Sequence, residues 1–490
     1  MKFTKSPNVP PDDLHEFHPM TIVRDWGDGD CFRLADALSG VCIFGATGSG
    51  KSSGPGRHLA YGYLANGFGG LVLAAKPGEV DDWREWAAET GRSDDLIVVD
   101  ATGQHRFNFL DWESRRPGEG GGLTINLVAL LDEIAGAIAG SAGGAADSGG
   151  NKFFEDALHH MNTNIVDLPI FAGIPVSLPL MRSIVTTAPQ SPQEVESQEW
   201  RDRSVCAAII READLATKDA PEDIRKDFEE CRNYWFMEYP ALSEKTRSII
   251  TLSFSMLVRP FITRPLRRLF SSETNITPEA AFDGRIVVIN LPIQEFRLAG
   301  RIAQLAWKYC FQVAVLRRTK PTTGYLRPVF LWADEAQNFV SDFDAEYQSV
   351  ARSAAGCTVF LTQNRESYRR VLGNNDAVDS LLGNLQTKIF CQNSGETNEW
   401  AAKLLGERWL DVISSNVGRS AEGNPTSGVT RSEQRRYFVE PAAFTTLKRG
   451  GEINHFEVEA IVYKGGHQFL SNADGKQELL PYKLLTFKQV

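Results

Sequence analysis

Residues Gly45 to Ser52 read GATGSGKS, a glycine, four variable positions and then Gly-Lys-Ser. That spacing suits the binding of a nucleoside triphosphate. Glycines at 45, 48 and 50 carry no β-carbon, so consecutive backbone amides can turn inward onto phosphate oxygens. Lys51 would reach the β- and γ-phosphates as a point charge, and Ser52 would offer its hydroxyl to Mg²⁺. Ala46, Thr47, Ser49 and Ser53 complete the stretch expected to line the nucleotide. A second set of chemically capable residues lies far along the chain, where the apolar run VFLWA ends in Asp334 and Glu335. Asp334 would hold Mg²⁺, directly or through water, and Glu335 would polarise an attacking water. Alone, the first segment also reads as a glycine-rich turn and the second as an ordinary strand end. Together they describe a Mg²⁺-dependent ATPase that hydrolyses ATP.

Both segments need strands to hold them. Val41-Cys42-Ile43-Phe44 reads as a short buried strand, and the residues after Ser52 can form a helix whose N-terminus faces the phosphates. Further short apolar runs occur at 71–75, 96–100, 286–290, 357–361 and 387–391, with helical stretches around 82–90 and 298–318. This pattern predicts an α/β fold with a mainly parallel sheet covered by helices and a nucleotide at the carboxyl ends of its strands. Between about 120 and 246 the strand signals stop and helical ones dominate. The expected organisation is therefore a nucleotide-binding domain built from 1–119 and 247–490, interrupted by an all-α insertion at 120–246. Within the insertion, the small-residue tract at 135–150 is expected to be a flexible loop. The polar stretch 416–434 is expected to be another, and 452–463 a strand or hairpin.

Composition narrows the class. The chain has 490 residues, 42% hydrophobic and 23% charged, ample for a globular core. Its 52 Lys and Arg against 62 Asp and Glu give a net charge of −10, so the surface as a whole does not favour nucleic acid, although a local basic channel fits inside that total. Seven cysteines stand singly, without a C-x-x-C pair, and read as small reduced core residues. The N-terminal segment lacks an apolar signal region, and no run of eighteen apolar residues occurs. A soluble, cytoplasmic chain is expected.

The order of these segments resembles the type IV secretion and conjugation coupling proteins (TraG/TraD-like), within the FtsK/HerA group of RecA-like translocases. The likeness rests on LVLAAKPGE and IVVDATGQHRFNFLDW after the phosphate loop, and on NKFFEDALHHMNTNIVDL and ALSEKTRSIITLSFSML in the helical stretch. FLWADEAQNF, ARSAAGCTVFLTQN and LLGNLQTKIFCQNSGETNEWAAKLLG complete it, so it spans about 40 to 447. It implies a RecA-like P-loop NTPase that assembles as a ring, a hexamer, and moves DNA through a central channel. It also implies roles for two further residues. Arg352 would face the nucleotide of a neighbouring subunit, and Gln363, at a strand end, would contact the γ-phosphate or its water. The residues themselves leave a second reading open: a surface arginine paired with Glu346, and a polar strand end.

The pattern departs from the family in one respect. Its members carry transmembrane helices before the phosphate loop, whereas the 44 residues here include Pro7, Pro10, Pro11 and many charges. The chain would then dock at a secretion channel through another protein, or work elsewhere as a soluble DNA pump. Arg259, Arg264, Arg267, Arg268, Arg431, Arg435 and Arg436 are candidates for a DNA channel, or simply solvated basic faces. Two alternatives to a conjugative DNA pump stay open. One is an ATPase that recruits protein substrates, such as a relaxase, to a secretion system. The other is a HerA-like pump partnered with a nuclease in repair or defence.

Overall fold

A computed structural model describes residues 16–118, 120–141, 152–419, 425–473 and 476–489. Its strands in chain order are β1 (Ile22–Gly27), β2 (Asp30–Arg33), β3 (Val41–Phe44), β4 (Gly69–Leu73), β5 (Leu96–Asp100), β6 (Ile286–Asn290) and β7 (Val329–Ala333). They continue with β8 (Gly356–Thr362), β9 (Thr387–Phe390), β10 (Glu407–Arg419), β11 (Pro425–Tyr437), β12 (Glu457–Lys464), β13 (Phe469–Ala473), β14 (Lys476–Leu480) and β15 (Tyr482–Lys488). The chain divides into two compact units. The first takes residues up to Gly70, Glu85–Asp94 and Val315 onward; the second takes Leu71–Arg84 and Asp95–Ala314.

In the first unit β3 is parallel to β8 on one side and to β9 on the other, and β7 is parallel to β8. Beyond β9 the direction reverses, with β12 antiparallel to both β9 and β15. Every residue of β3, β7, β8 and β9 is buried, which explains why β3 and β7 read as continuous apolar runs and not as alternating ones. The β1–β2 hairpin is tied to the reversed strands by Lys464, whose ammonium donates to Cys31 O (3.2 Å), and by Lys483 on Asp30 Oδ2 (2.8 Å).

One expectation for this unit is corrected. The described residues of 416–434 are strand: β10 and β11 pair antiparallel over thirteen residues each, without a register shift, from Glu407↔Tyr437 to Arg419↔Pro425. Residues 420–424 lie outside the described residues. Polar composition suggested a loop, but the two strands pair through their inward-facing backbone groups, which requires no apolar alternation of side chains.

The second unit holds β5 and β6, which pair in parallel from Leu96↔Ile286 to Asp100↔Asn290. Among the described residues no strand lies between them, and the chain from Phe109 to Asp283 forms helices. Serines cap several of these helices: Ser191, Ser197, Ser204 and Ser243 each accept a backbone N–H three residues on. The small-residue tract is corrected in part. Helix Thr124–Ser141 runs into it, its alanines being the strongest helix formers although each interspersed glycine opposes the helix. Residues 142–150 lie outside the described residues. The long helix predicted around 298–318 spans Ile293–Leu316, interrupted at Arg297 (φ 47°, ψ −125°). Arg259, Arg264, Arg267 and Arg268 are exposed, and Arg268 donates to the Thr102 carbonyl (2.9 Å).

Candidate nucleotide site

The loop after β3 is pinned between the two strands that flank it. Gly45 N–H donates to Thr362 O at the end of β8 (3.1 Å), and Ala46 N–H to Gln392 O just past β9 (3.0 Å). Gly48 and Gly50 have φ of 74° and 80°, the left-handed region that favours glycine. A β-carbon at Gly50 would also meet Val458 Cγ2 at 2.4 Å and Arg449 O at 3.0 Å. Thr47 stands exposed at the crest, whereas Ser49 is fully buried and its Oγ has no hydrogen-bond partner among the described residues. The helix that follows opens with a wide turn, Ser52–Gly56, before the regular stretch Arg57–Ala65. The cause is Pro55. It has no N–H to offer Lys51 O, so Gly56 N–H reaches back five residues to that carbonyl (2.9 Å). Ser53 is turned away to accept from Gln489 Nε2 (2.6 Å).

The acidic strand end meets this loop directly. Ser52 Oγ donates to Asp334 Oδ2 (2.8 Å), and Lys51 Nζ donates to Glu335 Oε1 (3.3 Å). All three ionisable residues are deeply placed, at 5%, 8% and 7% exposure for Lys51, Asp334 and Glu335. Glu335 adopts φ 50°, ψ 46°, a conformation that a residue with a β-carbon takes only when its surroundings impose it. Here its N–H donates to Asp334 Oδ1 (2.8 Å) and its carbonyl accepts from Asn338 N (2.9 Å) and Nδ2 (3.0 Å). Its other carboxylate oxygen, Oε2, accepts from Gln337 Nε2 (2.8 Å) and Gln363 Nε2 (3.2 Å). Gln363 reaches it because β8 ends there, where Asn364 caps the next helix by accepting from Ser367 N (2.8 Å). Cys391 closes the floor, and burial pushes its thiol up to about 12, with Lys51 pulling the other way, so it stays a neutral wall.

The structure thus brings together Lys51, Ser52, Asp334, Glu335 and Gln363, and sets Arg352 apart. Arg352 lies in a short 3₁₀ turn (Arg352–Ala354) before β8, the opposite end from Gln363, and a seven-residue strand spans about 23 Å. It is exposed, and among the described residues its guanidinium makes no hydrogen bond or ion pair, with Glu346 or otherwise. Two residues escaped the sequence reading. Gln337 and Thr362 face each other, with Thr362 Oγ1 donating to Gln337 Oε1 (2.8 Å). The only signal for them was a pair of amide-bearing residues after Glu335. The donor set fits a nucleotide with Mg²⁺: a hydroxyl and a carboxylate held side by side, an amine against an anionic oxygen, and a loop that β-carbons would fill.

A helix-covered, mainly parallel sheet with this loop at its carboxyl edge is a RecA-like α/β fold, and solved structures bear that out. A bacterial conjugative coupling protein, TrwBdeltaN70, superposes with a TM-score of 0.56 at 16% identity, covering 96% of this chain and 89% of the other. The plasmid coupling protein TrwB in complex with ADP and Mg²⁺ gives 0.60 at 14%, covering 98% and 92%. VirB4 of Thermoanaerobacter pseudethanolicus gives 0.50 at 14%, covering 94% and 96%. Residues 328–449 match the family model described as the TraM recognition site of TraD and TraG. No curated protein matches the sequence. The matched segment covers about a quarter of the chain, and the fold is shared with solved coupling proteins, in line with the resemblance in the order of the motifs. Among the described residues no helix is long and apolar enough to cross a membrane.

Proposed function

We propose that this chain is a Mg²⁺-dependent ATPase of the coupling type, acting in the cytoplasm as a hexameric ring that pumps DNA through a central channel. One observation carries the ATPase reading: the phosphate loop and the acidic strand end are joined by Ser52 on Asp334 and Lys51 on Glu335. Backbone amides from Gly45 to Ser53 and the Lys51 ammonium bind the triphosphate, and Ser52 with Asp334 would hold Mg²⁺. When bound, the ion neutralises charge that develops on the phosphates. Glu335 accepts a proton from the attacking water at its carboxylate, and Gln363 reports whether the γ-phosphate is still in place. Arg352, exposed at the far end of β8, supplies a guanidinium to the next subunit's site. We further propose that residues 120–246 act as an all-α insertion between the two parts of the ATPase domain, 1–119 and 247–490.

A second reading is recruitment of a protein substrate, favoured by the family description of residues 328–449 as a TraM recognition site. A salt titration of DNA binding, with ATP turnover measured alongside, separates the two. A DNA pump gives a steep log–log slope and turnover stimulated by DNA, whereas a recruiter gives almost no slope. Absence of Mg²⁺-dependent ATP hydrolysis with and without DNA would sink both. Particle images with ATP and DNA test the ring, and a persistent monomer rules out the hexamer.

A further inference from the structure

The Glu335 carboxylate is held by a residue to which the mechanism has so far given no role. Gln337 sits two residues on, in the 3₁₀ turn Ala336–Asn338, with 7% of its surface exposed. Its amide nitrogen donates to Glu335 Oε2 at 2.8 Å, shorter than the 3.2 Å contact from Gln363 to the same oxygen. Its amide oxygen accepts from the hydroxyl of Thr362, which is fully buried. These contacts fix which way the amide faces. Reversed, it would set its oxygen against a carboxylate oxygen, and acceptor would face acceptor. Thr362 is also the residue whose carbonyl accepts the Gly45 N–H, so one strand end anchors both the start of the phosphate loop and the amide behind the general base.

We propose that Gln337, oriented by Thr362, is a positioning residue that holds Glu335 Oε2 and thereby aims the carboxylate at the attacking water; this rests on the ATPase reading above. A glutamate side chain has several rotatable bonds, and a base displaced by about 1 Å can lose on the order of 10² in rate. With Gln337 fixing one oxygen, the carboxylate keeps one direction. Gln337 acts through Glu335 and, among the described residues, makes no hydrogen bond to the phosphate loop, so its removal is expected to lower turnover and leave nucleotide affinity alone.

The test compares Gln337→Met, Thr362→Val, Thr362→Ser and the Gln337→Met/Thr362→Val pair with the wild-type chain, measuring ATP affinity by fluorescent-nucleotide titration, kcat at saturating Mg²⁺-ATP, and thermal unfolding. Gln337→Met keeps the volume but removes the donor, and its kcat is expected to fall about tenfold with Kd within twofold. Thr362→Val is expected to lose a few-fold, and Thr362→Ser, which restores a hydroxyl, to recover most of that. Because Thr362 acts through Gln337, the double variant is expected to be no slower than Gln337→Met. Wild-type turnover in Gln337→Met, multiplicative losses in the double variant, or affinity falling in step with kcat would each overturn the proposal. Should Gln337→Met not fold, the Thr362 pair decides, since equal turnover in the valine and serine variants overturns it too. A wild-type chain that hydrolyses no ATP fails at the earlier step and removes both readings, whereas an active wild type inactivated by Glu335→Gln but indifferent to Gln337 removes only this one.

Discussion

Lys51 Nζ and Glu335 Oε1 stand 3.3 Å apart across 284 positions of sequence, with side chains only 6% and 9% exposed. The cation expected to meet phosphate and the carboxylate expected to meet water are thus each other's partners. Burial makes the pairing consequential, because a charge left alone there costs about 3–5 kcal/mol, far more than a surface pair would.

Two substitutions separate binding from chemistry. Lys51→Ala is expected to lose ATP binding almost entirely and to unfold at a lower temperature, since the loop loses its cation and Glu335 one of its partners. Glu335→Gln keeps the shape, so ATP is expected to bind while turnover falls by roughly 10² or more. Fluorescent-nucleotide titration with steady-state hydrolysis decides both. Unchanged affinity in the first, or hydrolysis within a few-fold of wild type in the second, overturns the corresponding assignment.

Gly50→Ala tests the loop's shape without touching its charge. The backbone there is at φ 80°, and the new methyl group would lie 2.4 Å from Val458 Cγ2 and 3.0 Å from Arg449 O. Val458 can shift, but the carbonyl cannot move as cheaply. ATP affinity is expected to drop at least tenfold, with Val458→Ala in the same chain recovering only part. Full affinity in Gly50→Ala shows that the loop is free to move away from Val458 and Arg449.

A third prediction concerns pH. Lys388 in β9 is buried, and desolvation holds its ammonium down at about 8, with Cys42 pulling slightly upward. Its folded value lies below the ordinary value of 10.5, so between those pH values the unfolded chain binds more protons than the folded one. Stability therefore gains from this group as pH rises from about 8 to 10.5. Denaturant unfolding across that range, compared with Lys388→Met, is expected to show the gain only in the wild-type chain. Parallel curves for the two proteins contradict it.

What could be read from the sequence follows the length scale of the signal. GATGSGKS and the WADE end of β7 are local, because a cradle of amides and an acid at a strand end each need only adjacent residues of the right type. Fully buried strands such as VCIF and VFLWA announce themselves by uniform apolarity. Gln337 and Thr362 gave no such signal, since a hydrogen bond between two side chains 25 positions apart depends on β7 and β8 being neighbours. The β10–β11 ribbon was missed for the opposite reason: its polar, Gly- and Ser-rich sequence imitates a loop, and backbone pairing leaves no trace in composition. The wide turn at Ser52–Gly56 was present in the sequence as Pro55, whose missing N–H displaces the first bonds of the helix.

The ring can be tested through Arg352, which stands exposed at the start of β8 while the nucleotide residues cluster at its end. A strand of this length separates the guanidinium from its own subunit's Lys51 by more than an arginine side chain can reach, so any catalytic contact it makes is expected across a subunit boundary. Arg352→Ala should then bind ATP normally and hydrolyse it poorly. A trans-acting arginine contributes roughly 10³ or more in rate. Mixing Arg352→Ala with Lys51→Ala should restore partial turnover, because some interfaces then pair an intact phosphate loop from one subunit with an intact arginine from the other. Restored activity should peak at an intermediate mixing ratio and vanish at either extreme. If the two variants co-assemble, as size-exclusion chromatography with differently tagged chains would show, and no ratio restores turnover, then Arg352 does not act between subunits. The site would stay as described, but hydrolysis would no longer be tied to the interface, and the case for a ring-driven motor would fall with it.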